Sequence, residues 1–174
     1  VAHNYEERGM RVIIIKPERD EKGGNKIVSR IGAERQVDYQ LEWFRSIREK
    51  VNEDIKEKGK LHCILVDEVQ FFDEDQIKEM WIISKKLDIP IITYGLRTDF
   101  KGQLFLPIRT LMAYADEMEE LKTICRCGKK ATMNGRKVEG TFVLEGEQVE
   151  IDNQEKIEYE ALCGKCYIEK VLQK

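Results

Sequence analysis

The sequence predicts an α/β protein, a parallel sheet covered by helices, followed by a smaller unit organised by cysteines. Three observations carry this reading. Short apolar runs and helical patterns alternate over the first 120 of 174 residues, as they do where crossover helices join parallel strands. One run, residues 61–66, ends abruptly in the adjacent carboxylates Asp67 and Glu68. Four of the five cysteines fall in two tight pairs near the C-terminus, Cys125 with Cys127 and Cys163 with Cys166.

The elements follow in chain order. Residues 10–17 read as a buried strand stopped by Pro17. Residues 18–36 are mostly polar, contain Gly23-Gly24, and read as an exposed loop. From 38 to 58 the spacing of Leu41, Phe44, Ile47, Val51 and Ile55 predicts a helix that stops at Gly59. The strand leading to Asp67 comes next. Asp73-Glu74-Asp75 opens a second helix, where acidic residues suit the helix dipole, with Ile77, Met80, Trp81, Ile83 and Leu87 as its apolar set. Residues 90–95 form a third strand, and Pro107 starts a helix bearing Ile108, Leu111, Met112 and Ala115. Beyond 120, the strand-like runs 140–144 and 148–151 flank Glu145-Gly146-Glu147 and predict a hairpin between the cysteine pairs. The expected domains are 1–120, an α/β core, and 121–174, a cysteine-bound ribbon.

Composition narrows the function classes. Charged residues make up 36% of the chain but nearly cancel, 30 basic against 33 acidic, so no nucleic-acid face is expected. No apolar run approaches the roughly 20 residues that cross a bilayer. No secretory leader is evident, and a cytoplasmic protein without membrane attachment is expected. In that compartment two cysteine pairs suit a tetrahedral zinc site better than disulfides. Cys125 and Cys127 stand one residue closer than the usual Cys-x-x-Cys, and redox-active or merely buried cysteines are the alternatives. Cys63 reads as a small buried apolar residue.

Asp67 and Glu68 need a reason to sit at a strand tip, because burying an unpaired carboxylate is costly. In parallel sheets ligands bind outside the carboxyl ends of strands, and an acidic residue there commonly holds Mg²⁺ for nucleotide chemistry. A solvated acidic turn is the plain alternative. The apolar lead-in and the following Phe71-Phe72 favour a site.

With these residues in view, the chain resembles the thymidine kinases of the small, zinc-containing type, from Val12 to Cys166. The resemblance is carried by Ile15-Lys16-Pro17, by Asp67-Glu68-Val69-Gln70-Phe71-Phe72, and by Tyr94-Gly95-Leu96-Arg97-Thr98-Asp99-Phe100. Phe105, Cys125 to Gly128, and Tyr159-Glu160-Ala161-Leu162-Cys163-Gly164-Lys165-Cys166-Tyr167 complete it. It implies a phosphate-loop kinase core of the RecA-like type, with a zinc ribbon and a lasso loop over the nucleoside. The implied reaction moves the ATP γ-phosphate to the 5′-hydroxyl of thymidine or deoxyuridine, in nucleoside salvage. Glu68 would be the general base and Asp67 the Mg²⁺ holder, with nucleotide contacts at Asp67, Glu68, Val69 and an orienting Gln70. Phe71, Leu96, Phe100 and Phe105 would wall the thymine pocket; without the resemblance they read as ordinary core. Tyr159 would lie on the nucleoside, and main-chain groups around Val149 and Ile151 would hydrogen-bond the base. Asn134 stands where family members often have threonine near the base, and 152–158 looks longer than usual and lacks Gly-Gly. Cys125, Cys127, Cys163 and Cys166 would hold Zn²⁺. A homotetramer inhibited by thymidine triphosphate is implied as well.

One family feature is missing. The sequence contains no Gly-x-x-x-x-Gly-Lys-[Ser/Thr], the loop whose amides cradle nucleotide phosphates. The expectation is that this loop lies upstream of Val1 and that the 174 residues alone are inactive. Two rival readings stay open: a non-catalytic zinc-ribbon binding module, and another phosphate-loop ATPase that uses Asp67 and Glu68 for hydrolysis.

Overall fold

Val12–Pro17 and Cys63–Val66 are apolar at nearly every position, so neither can face water, and the fold buries both completely. The computed structural model describes residues 1–18, 24–28, 34–148 and 157–173. These divide into two units, Val1–Leu96 with Leu106–Asp116, and Arg97–Phe105 with Glu117–Lys174.

The first unit runs α1 (Ala2–Glu6), β1 (Val12–Pro17), β2 (Lys26–Val28), β3 (Glu34–Gln36), β4 (Tyr39–Leu41), α2 (Ile47–Lys58), β5 (Cys63–Val66), α3 (Glu74–Leu87), β6 (Ile91–Thr93) and α4 (Leu106–Tyr114). Its sheet is parallel throughout, in the order β4-β1-β5-β6. The two all-apolar strands take the centre, where both faces are covered. Ile13, Ile15, Ile64 and Val66 are among its most deeply buried side chains, joined by Ile47 and Val51 of α2 and Ile77 and Ile83 of α3.

Two expectations change here. Within the stretch read as an exposed loop, β2 and β3 form an antiparallel pair. The helix expected from residue 38 begins at Ile47, and Tyr39–Leu41 is a strand paired in parallel with β1. Leu41 and Phe44 are three apart and imitate a helical face, but Phe44 is 67% exposed. The true start is Ser46, whose hydroxyl accepts from the Glu49 amide at 3.1 Å. The α3 start was legible: Asp73 accepts from the Gln76 amide, and the Gln76 side chain accepts from the Asp73 amide, a reciprocal capping box.

One buried ionic cluster staples α2 to the sheet. Asp54 is fully buried, and it accepts from Arg11 at 2.5 Å and from the Tyr39 hydroxyl at 2.6 Å, with Lys58 at 3.2 Å. Burial alone would raise its carboxyl pKa, but the hydrogen bonds from Tyr39, Arg11 and Lys58 outweigh burial and hold it below the ordinary value.

The second unit contains β7 (Thr123–Ile124), β8 (Lys130–Ala131), β9 (Met133–Val138), β10 (Thr141–Val143), β11 (Ile157–Leu162) and α5 (Gly164–Tyr167). A three-stranded antiparallel sheet has the order β10-β9-β11, and β7 pairs with β8. The second run of the hairpin expected between 140–144 and 148–151 falls largely outside the described residues. Thr141–Val143 pairs with Arg136–Val138 around Glu139-Gly140, a hairpin the sequence did not announce. Both turn residues have positive φ, 49° and 80°, the signature of the two-residue turn that matches strand twist. Of the run 148–151, only Gln148 lies within the described residues.

Candidate functional site

The carboxyl end of β5 is held by its neighbours before it turns. The Asp67 amide donates to the Ile15 carbonyl at 2.9 Å, and the Val69 amide to the Tyr94 carbonyl at 2.9 Å. Between them the chain reverses through Glu68, at φ 48° and ψ 44°, into a 3₁₀ turn over Val69–Phe71. A left-handed conformation is rare for a residue with a β-carbon, and such strain collects at functional sites. Phe72 and Val69 are buried and anchor the turn.

Gln70 then fixes the Glu68 side chain. It is almost wholly buried; its amide nitrogen donates to Glu68 Oε2 at 2.5 Å, and its amide oxygen accepts from the Leu96 amide at 3.0 Å. Gly95 makes room for this. A β-carbon there would lie 2.5 Å from Gln70 Oε1 and 2.8 Å from Val69 Cγ1. The glycine ending the third strand therefore has a packing reason the sequence did not reveal. Asp67 lines a cavity of about 220 Å³ with Ile14, Ile27, Leu65, Val66 and Tyr94. Of the expected site residues, the first unit thus gathers Asp67, Glu68, Val69 and Gln70 in one turn, with half-buried Phe71 beside them. Leu96 is tied to the turn through Gln70, and its side chain is exposed.

The second unit gathers Phe100, Asn134 and Tyr159. The loop Arg97–Phe105 folds tightly on Asp99, whose Oδ1 accepts from the Lys101 and Gln103 amides at 2.9 and 2.8 Å. Phe100 at its tip is buried, and its carbonyl accepts from the Tyr167 hydroxyl at 2.6 Å. Asn134 donates to the Thr98 carbonyl at 3.2 Å. Asn134 and Arg136 share a face of β9 with Tyr159 and Ala161 of β11, by the register Tyr159↔Arg136 and Ala161↔Asn134. Phe105 is buried at the end of the loop. Val149 and Ile151 lie outside the described residues. Sequence reasoning missed Asp99 and Arg136, because a lone charged residue in a polar stretch carries no signal of burial.

The cysteine cluster can be tested against zinc. All four Sγ atoms lie within 4.8 Å of one another, and Cys127 and Cys163 are 3.6 Å apart. Tetrahedral coordination with bonds of about 2.3 Å places sulfurs about 3.8 Å apart, so the donor set fits despite the short Cys125-x-Cys127 spacing. All four are free thiols. The Cys127 and Cys163 amides lower the Cys125 thiol to about 6, which readies one thiolate ligand. The neighbouring thiols push Cys166 up to about 12, a penalty that a divalent cation would remove.

Comparison with known proteins follows the same residues. A family model described as "Thymidine kinase" matches residues 1–167. A thymidine kinase of Xanthomonas oryzae pv. oryzae (strain MAFF 311018) is 45% identical over 158 residues, covering 89% of this chain and 75% of that protein. A thymidine kinase of Rhodopirellula baltica is 41% identical over 181 residues, covering 99% and 81%. One of Shewanella oneidensis is 42% identical over 170 residues, covering 97% and 86%. With its strand-end carboxylates, its cysteine cluster and this breadth of similarity, the chain belongs to the thymidine kinase family.

Proposed function

We propose that this protein transfers the γ-phosphate of ATP to the 5′-hydroxyl of thymidine, with Glu68 as the general base. Family membership gives the reaction and its two substrates. The observation that supports Glu68 is its clamp: a strained left-handed residue at a strand's carboxyl end, with one carboxylate oxygen fixed by buried Gln70. A carboxylate held in this way can take the hydroxyl proton as the oxygen attacks phosphorus in line and ADP leaves. Asp67 and the main chain at Val69 serve the nucleotide. Mg²⁺, when bound, would be held by Asp67 and would neutralise phosphate charge; one carboxylate completed by phosphates and water suits that ion. The role of gripping the terminal phosphates is given to no residue here, since the sequence holds no Gly-x-x-x-x-Gly-Lys-[Ser/Thr].

Phe71, Leu96, Phe100 and Phe105 contribute apolar walls for the base, Tyr159 its ring, Asn134 a polar group, and Val149 and Ile151 main-chain hydrogen bonds. Cys125, Cys127, Cys163 and Cys166 hold a structural Zn²⁺. We assign residues 1–120 to the nucleotide core and 121–174 to the zinc-bound ribbon and lasso, and we propose a cytoplasmic homotetramer inhibited by thymidine triphosphate. None of the described helices is long and apolar enough to cross a membrane.

The test is Mg-ATP-dependent phosphorylation of nucleosides by the full-length gene product. Thymidine-selective transfer is expected. Nucleoside-independent ATP hydrolysis would favour the ATPase reading, and folded, zinc-loaded protein with neither activity would favour a binding module.

A further inference from the structure

Arg136 is completely buried on the central strand β9. A guanidinium has five donors and no acceptor, and it is buried at a net gain only where its partners are well placed. Those described are unusual in kind. The guanidinium carbon lies 3.7 Å from the centroid of the Phe100 ring and 5.6 Å from that of Tyr159. Nε donates to the Tyr159 hydroxyl at 3.1 Å. Nη2 donates to the Glu147 carbonyl at 2.8 Å and lies 3.4 Å from the Gln148 carbonyl. Gln148 in turn donates from its side chain to Asp99 Oδ2 at 3.0 Å, and Asp99 builds the loop that carries Phe100.

One planar cation therefore touches a ring from the Arg97–Phe105 loop, a ring from β11, and the main chain at Glu147 and Gln148. We propose that Arg136 is a positioning residue for the thymidine base: it fixes the plane of Phe100, the tilt of Tyr159 and the path of the chain at Glu147 and Gln148 together. The inference rests on the reading of Phe100 and Tyr159 as base-contacting residues. Lysine cannot replace the arginine in this role. Its ammonium carries the same charge but has no plane to lie on Phe100 and no fork to span a hydroxyl and a carbonyl.

Thymidine KM, ATP KM, kcat and zinc content should be measured for the full-length enzyme and for Arg136→Lys, Tyr159→Phe and the double variant. In Arg136→Lys, thymidine KM should rise about tenfold or more, with ATP KM within about twofold and zinc content unchanged. The double variant should be little worse than Arg136→Lys alone, because the hydroxyl acts through the arginine. Thymidine KM within about twofold of the parent in folded Arg136→Lys would overturn the proposal, as would effects that simply multiply. If Arg136→Lys fails to fold, Tyr159→Phe decides: a rise of several-fold in thymidine KM supports the positioning role, and no rise overturns it. Phe100→Ala and Tyr159→Ala test the underlying reading separately. If neither raises thymidine KM, that reading fails; if they do and Arg136→Lys does not, only the positioning role fails.

Discussion

Glu68 holds a backbone conformation that costs an ordinary residue about 1–2 kcal/mol, and it does so with its side chain clamped by Gln70. The removal of its charge alone tests what that strain serves. Glu68→Gln should keep thymidine affinity while turnover falls by about 10² to 10⁴, read as kcat against a binding isotherm; near-normal turnover would take the base role away from Glu68. Gly95 gives an orthogonal test. Gly95→Ala drives a methyl into Gln70 Oε1 and Val69 Cγ1, and should destabilise the protein by about 1–3 kcal/mol while lowering kcat through the displaced Gln70. Wild-type kcat in that variant would show that the Gln70 clamp is dispensable. The carboxylates themselves were legible, because an apolar run that stops at two acids is conspicuous in any sequence. The clamp was not, since the partner of Gln70, the Leu96 amide, is 26 residues away. Arg136 was hidden more deeply: nothing in Asn134-Gly135-Arg136-Lys137 separates a buried arginine from a solvated one.

At the level of elements, α2 shows where periodicity misleads and where charge decides. Its residues were read as helix from 38 because a three-residue strand is too short to display alternation, whereas the Ser46 cap sets the boundary. The helix is then joined to the sheet by Asp54. Because its folded pKa is depressed, its contribution to stability is complete above the unfolded value of about 3.9 and is lost as pH falls through the lower folded value. Asp54→Asn should cost about 2 kcal/mol near neutrality, less than a fully buried pair because Arg11 and Lys58 reach solvent. It should also flatten the acid limb of stability, measured as urea midpoints from about pH 2 to about pH 5. An unchanged acid limb would mean other carboxylates govern acid unfolding. The strand β9 was missed for the opposite reason to α2. Its two buried positions are Gly135 and Arg136, neither of them apolar in side chain, and Gly135 lets Phe142 and Leu162 close over it.

The chain as a whole joins two units that depend on different forces. The first has a sheet core of isoleucine, valine and leucine from β1 and β5, with the faces of α2 and α3. The second has a small cluster built around Leu162, Tyr167 and Val171, into which Cys125, Cys163 and Cys166 are packed. Such a cluster is small, and the proposed zinc would supply much of what holds it together. Zinc chelation should therefore abolish amide-exchange protection at Gly128, Thr132 and Tyr167 while Ile64 and Asp67 stay protected. Equal loss in both sets would mean that the units unfold together. A change of character near residue 120 was visible in composition alone. The grouping of Arg97–Phe105 with the cysteine unit was not, because it comes from contacts to Asn134, Gln148 and Tyr167 that no local pattern announces.

The Glu139-Gly140 turn offers a practical opening. Both residues are exposed, and open space surrounds the site where Gly140 would carry a β-carbon. They close β9, the strand that bears Asn134 and Arg136. Exposed turns accept insertions and chemical tags with little cost to the fold. A fluorophore attached at Glu139 would sit at the end of that strand and report on its movement as nucleoside arrives, in an enzyme whose reacting groups carry no label.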